Sequence, residues 1–198
     1  LVLSEGKKVS ELAPAKCGGK IVHADAERGL VLLACTGPKG RPQLVLAGVG
    51  LYQTLGIDLA GVSTDRRAGA PARLVPLYPG SDSVLLDLER KAVVHLESGD
   101  VVLAVSGARA LLRRDKKLVL FEVAGQAREL AESEPLAEAL VNGALAAAPP
   151  WVVDLDKAEV LGEIAGRPLG LAPDGRVLIA TGGDADGEAL ARGPLAWK

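Results

Sequence analysis

Three stretches decide the reading of this chain: VLLDLERKAVVHL (84–96), LVLFEVAGQAREL (118–130) and WVVDLDKAEVLGEI (151–164). Each is an apolar strand, a polar turn and a second, alternating strand, the pattern of a β-hairpin. Their closing apolar residues, Leu96, Leu130 and Ile164, stand 34 and 34 positions apart, and 34 more reach residue 198, the last. A fixed period of this size predicts a repeat architecture, in which no single unit buries its own core.

The pattern extends outward from these hairpins. LVLSEGKKVSEL (1–12) follows the same plan, and the 84 residues from Leu12 to Leu96 hold two longer repeats, divided within LYQTLGIDL (51–59). A second hairpin type is clearest in LGLAPDGRVLIATG (169–182), where Asp-Gly between apolar runs signals a tight turn. IVHADAERGLVLLAC (21–35) and VLAVSGARALL (102–112) follow it more loosely, so each repeat supplies four short strands. The 24 glycines and 12 prolines punctuate the chain too often for long helices. Residues 133–148, SEPLAEALVNGALAAA, are the exception, with Ser133 as a cap and good helix formers behind it, and a short helix is the alternative there.

Four short strands per repeat, about five times over, predict an all-β fold: a β-propeller of about five short four-stranded blades. The blades fall at 13–59, 60–96, 97–130, 131–164, and 165–198 together with 1–12, within one domain spanning 1–198. LAPDGRVLIATG (171–182) resembles the inner hairpin of WD-like and YVTN-like propeller repeats, and WVVDLDKAEVLGEIAG (151–166) resembles their outer hairpin. The resemblance implies the fold. It carries no partner, since the Trp-Asp dipeptide and the Gly-His signature are absent. Such a ring closes when both chain ends share a blade. Here residues 167–182 and ALARGPLAWK (189–198) would supply three strands and VSEL (9–12) the outer one. The other arrangement is a slice of a larger propeller with open edges.

Composition narrows the function. The chain has 198 residues, 48% of them apolar but only 3% aromatic, which suits thin, regular layers of Leu, Val, Ile and Ala. Its 23 basic and 25 acidic residues give a net charge of −2, a balance that disfavours nucleic acid. No apolar run reaches the length of a membrane-spanning helix. The absence of Met, with Leu1 first, suggests a mature, trimmed or excised segment.

Few residues suggest chemistry. Cys17 and Cys35 flank an expected hairpin and would face each other. A disulfide there would place the protein in the periplasm or outside the cell, whereas two buried thiols would suit the cytoplasm, and the two readings stand level. His23 and His95 have no nucleophile or carboxylate pair beside them in sequence and read as strand residues. Asp184, Asp186 and Glu188 form an acidic turn whose spacing does not fit an EF-hand, leaving it a secondary metal candidate. No hydrolase, phosphate-loop or dinucleotide fingerprint is present, so no catalytic residue and no cofactor is expected.

Loops joining the second and third strand of each blade gather on one face of a propeller. Here they fall at 36–43, 78–83, 113–117, 147–150 and 183–188. Arg41, Asp82, Arg113, Arg114, Lys116 and Lys117 are the candidate partner-binding residues on them. The expectation is a non-enzymatic, bacterial-type scaffold that binds another protein or the remainder of its own parent chain. The alternative is a ligand- or metal-binding propeller enzyme, hydrolase- or lactonase-like, with its site in the central channel. Having Asn142 as its only Asn weakens that alternative.

Overall fold

The computed structural model describes residues 2–5, 8–11, 20–37, 40–58, 73–78, 83–125, 127–132, 139–181 and 189–191. Its strands form small antiparallel sheets, each a meander of consecutive strands. The first sheet contains β3 (Lys20–Asp25), β4 (Leu30–Thr36), β5 (Pro42–Gly48) and β6 (Leu51–Asp58). The second holds β7 (Leu74–Leu77), β8 (Val84–Asp87) and β9 (Ala92–His95). The third is built from β10 (Val101–Ser106), β11 (Arg109–Arg114), β12 (Lys117–Glu122) and β13 (Arg128–Glu132). The fourth comprises β14 (Leu140–Asn142), β15 (Leu145–Ala148), β16 (Trp151–Asp154) and β17 (Glu159–Glu163). β18 (Arg167–Leu171), β19 (Val177–Thr181) and β20 (Ala189–Ala191) make the fifth.

One hydrogen bond recurs within the second, third and fourth sheets and sets their strands in correspondence. The residue just after the third strand donates its N–H to the residue just before the second: Val123 to Ala108 at 3.1 Å and Leu155 to Ala144 at 2.8 Å. Leu88 donates to Arg73 at 3.0 Å in the same way, so β7, β8 and β9 occupy the places of strands two, three and four. Register slips repeat as well. First strands β3, β10 and β18 each carry a bulge, and so do the β12–β13 and β16–β17 pairings. Bulges at matching positions are one repeat's geometry copied along the chain.

Packing follows from the runs of apolar residues in second and third strands. β4, β5, β11 and β12 are buried over three or more successive residues, so both their faces are covered. Leu30, Leu32, Leu44 and Leu46 of the first sheet meet Val75, Leu77, Val84 and Leu86 of the second. The second sheet's other face, Leu74 and Leu85, packs on Val102, Val105, Ala110 and Leu112 of the third. Leu103, Leu111, Leu118 and Leu120 then meet Ala146, Ala148, Val153 and Leu155 of the fourth, and Ala147 and Val152 meet Val177 of the fifth. Each fully buried Leu or Val contributes about 1.5–3 kcal/mol. The five sheets therefore stack in chain order. The first sheet's remaining face, with Val31, Leu33, Cys35, Val45 and Ala47, is buried too.

Polar contacts stitch neighbouring sheets at their tight turns. Arg73 N donates to Gly107 O at 3.1 Å, Ser106 Oγ to Gly143 O at 2.7 Å, and Asn142 Nδ2 to Leu171 O at 2.8 Å. These bonds link the second sheet to the third, the third to the fourth and the fourth to the fifth.

One expectation differs from what is observed, and one alternative is not taken up. The N-terminal hairpin, β1 (Val2–Glu5) with β2 (Lys8–Glu11), forms a two-stranded sheet of its own, and among the described strands it does not join the fifth sheet. A connection of two residues between Glu5 and Lys8 lets the hairpin pair locally. The segment considered for a helix is strand from residue 140 onward, because Asn142-Gly143, with Gly143 at φ +60°, is a hairpin turn. Residues 133–138 lie outside the described residues.

The turns that follow Asp25, Asp87 and Asp154 place their last residue in the left-handed region: Gly29 at φ +61°, Lys91 at +54° and Ala158 at +55°. Lys91 is exposed, so replacing it removes little packing. Lys91→Gly should raise stability by about 0.5 kcal/mol, the left-handed cost less the added flexibility of the unfolded chain. Gly29→Ala should lower it by about 1 kcal/mol. Urea unfolding midpoints check both, and a Lys91→Gly midpoint below the parent's would refute the strain.

Candidate functional site: two sides of the stacked sheets

Turns joining strands one to two and three to four lie at one end of each sheet, and loops joining two to three lie at the other. The tight-turn end is held by a repeated carboxylate. Asp25, Asp87 and Asp154 each end a strand. Each accepts the N–H three positions on, from Arg28 at 3.1 Å, Arg90 at 3.2 Å and Lys157 at 3.0 Å. The same basic residue returns to the carboxylate as an ion pair, at 2.7 Å for Arg28, 3.7 Å for Arg90 and 3.1 Å for Lys157. The Asp therefore caps the turn and the cation neutralises the cap.

Arg73 reinforces the middle turn. Its Nε and Nη2 grip the two oxygens of fully buried Asp87 at 2.8 and 2.7 Å, and Nη1 pairs with Glu89. Burial pushes the Asp87 pKa up, but the Arg73 guanidinium and the N–H groups of Arg90 and Glu89 outweigh it and leave the pKa below the usual carboxylate value. Arg109 spans two sheets, pairing with Glu122 of its own and Asp156 of the fourth, each at 2.6 Å. The charges at this end are largely consumed by one another.

The loop end is different. Arg114, at the end of β11, turns onto buried Asp100, Nε to Oδ1 and Nη2 to Oδ2 both at 2.8 Å, with Glu97 at 2.8 Å from Nη1. Lys117 pairs with Glu129 at 2.7 Å. Both candidates therefore have structural partners. Arg41 and Lys116 are exposed and Arg113 half-buried, and none of the three makes an ion pair among the described residues. Arg41 sits on a loop closed by Gly37 N to Arg41 O at 2.7 Å. Trp151, beginning β16 beside Pro149 and Pro150, has a buried indole N–H with no hydrogen-bond partner. An orphan donor of this kind costs about 1–3 kcal/mol.

The remaining candidates are dispersed. Cys35 is 3% exposed on β4 and is not a free thiol, while Cys17 lies outside the described residues. Asp82, Asp184, Asp186 and Glu188 also lie outside them. His23 is half-buried on β3, where burial pushes its pKa down against the pull of Asp25, and His95 is exposed on β9. Among the described residues no three His, Cys, Asp or Glu side chains gather as a metal site. Neither a protein-family model nor a curated protein matches the chain.

The sequence contained the signal for the capped turns, D-x-x-[RK] at 25–28, 87–90 and 154–157, which reading the hairpins alone passes over. The Arg73–Asp87 and Arg114–Asp100 pairs each span 14 residues and carry no local motif.

Replacing Arg73 leaves Asp87 buried and uncompensated. Arg73→Gln should cost about 3–5 kcal/mol near neutrality. A lowered folded pKa stabilises above the unfolded value of about 3.9 and is lost as pH falls through the folded value. The difference between parent and variant should therefore shrink on acidification below about pH 4. Urea titrations across this range check it, and a pH-independent difference would exclude the carboxylate as its source.

Proposed function

We propose that the chain is a five-bladed β-propeller scaffold whose loop end docks another protein or the rest of its own parent chain. One observation carries this reading: the outer face of the first sheet is buried, with Val31 at 1% and Val45 at 0% exposure. An open stack would leave its end face in water, whereas a ring covers it. The matched registers of the sheets and the neighbouring first strands β10, β14 and β18 support the same arrangement.

The loop end is the docking side, because Arg41, Arg113 and Lys116 are not spent on ion pairs there and rigid sheets hold them in place. Exposed charges of this kind set encounter rate and partner choice more than they set stability.

Hydrogen exchange distinguishes ring from open stack. In a ring, amides of β4, β5 and β19 exchange together with those of β11 and β12 through global unfolding. In an open stack the terminal sheets fray first. Early exchange confined to the first and fifth sheets would overturn closure.

Docking is tested by reversing charge on Arg41, Arg113 and Lys116 together, with photo-crosslinking in extract of the native source. A defined protein captured by the parent should be lost with the triple variant and kept when Lys157 is reversed. Turnover of a small molecule without any captured protein would favour the enzyme reading instead.

A further inference from the structure

The outer edge of the first sheet differs from its counterparts. β13 presents exposed Arg128, Glu129 and Glu132, and β17 presents exposed Glu159 and Glu163. β9 is short and lies between exposed Lys91 and Glu97. Charges and short length are the usual protection of an edge strand. β6, LYQTLGID, is eight residues long and carries no charge from Leu51 to Ile57. Tyr52 is 50% exposed, Gln53 and Thr54 are exposed, and Val49 in the preceding turn is 77% exposed. Among the described strands β6 pairs only with β5.

Its register fixes which groups face outward. The pairs Gly48↔Leu51, Ala47↔Tyr52, Leu46↔Gln53, Val45↔Thr54 and Leu44↔Leu55 are regular, and the slip comes only beyond Leu55. The two-residue turn makes Gly48 and Leu51 a hydrogen-bonded pair, so Gln53 and Leu55 also bond inward to β5. Tyr52 and Thr54 then direct their backbone N–H and C=O away from the sheet.

We infer that β6 is a self-association edge: two copies of the chain pair antiparallel through it about a two-fold axis at Gln53. In that register Tyr52 exchanges both backbone hydrogen bonds with Thr54 of the second copy, and Gln53 lies opposite its own equivalent. The strand is suited to itself because it brings no like charges together, and the Tyr52 ring gains the Thr54 methyl as a cross-strand neighbour. A contact of five residues is about 17 Å long, smaller than a standard interface, so the dimer forms in the micromolar range or above.

The test uses the full chain in sedimentation velocity over a concentration series. The parent should pass from monomer to dimer. Gln53→Lys sets two ammonium groups face to face and should weaken the dimer at least tenfold, as should Gln53→Glu, while an equimolar mixture of the two should restore it as a heterodimer. Thr54→Pro removes an outward N–H and should abolish pairing without lowering the thermal midpoint, since an edge strand tolerates Pro on its free side. A parent that stays monomeric throughout overturns the proposal, as does a dimer unaffected by Gln53→Lys or a mixture that fails to re-form it. Dimerisation through β6 protects only the outward amides of Tyr52 and Thr54, whereas ring closure is read from β4, β5 and β19, so its failure and that of ring closure are separately visible.

Discussion

Everything in this molecule depends on covering both faces of strands two and three. A sheet of three or four strands with Leu and Val on both sides has no stable existence alone in water. Leu111 and Leu112, neighbours in sequence, point to opposite sheets and are both fully buried. The third sheet is therefore as much a partner of the second as of the fourth, and removing one layer would expose the next. Stability in such an arrangement belongs to the interfaces more than to the units.

The polar groups answer to the same constraint. Because the sheets are thin, their turns lie close to the packed layers, and carboxylates there leave water. Asp87 and Asp100 have fully buried side chains and each is met by a bidentate arginine. The two pairs reverse roles: in the second sheet the Arg precedes the strand pair and the Asp ends it, and in the third the Asp precedes and the Arg ends. The first pair lies at the tight-turn end and the second at the loop end, so each end of the stack holds a buried carboxylate clamped by an arginine from the neighbouring strand.

Much of this was legible in the amino-acid sequence. Residues 84–96, 118–130 and 151–164 are hairpins as their alternation predicts, and the loops between β4 and β5, β11 and β12, and β15 and β16 fall within the expected spans. Local signals sufficed because each sheet is one contiguous stretch. What the local signals do not carry is pairing between stretches distant in sequence. In 133–148 the short helix is only the alternative to a blade strand, and from residue 140 onward the Asn142-Gly143 turn and the burial of Ala146 to Ala148 give strand. Residues 1–12 hold a hairpin as their pattern predicts, and the local pairing of Val2–Glu5 with Lys8–Glu11 takes the place of the expected outer strand of the last sheet at 9–12. The ion pair of Arg114 with Asp100 has no local signal, because Asp100 is brought alongside only when β10 and β11 pair.

The sequential stacking also bears on how the chain emerges from the ribosome. Every described interface between sheets joins stretches that are consecutive in sequence, so contacts are short-range in the chain even though the fold is all-β. A newly made sheet waits only for the following thirty or so residues before one bare face is covered. The first sheet is the exception: its outer face, centred on Val31 and Val45, must find its cover from elsewhere in the chain. During synthesis that face is the apolar surface exposed longest if its cover arrives last, and it is there that a chaperone would have the most to hold.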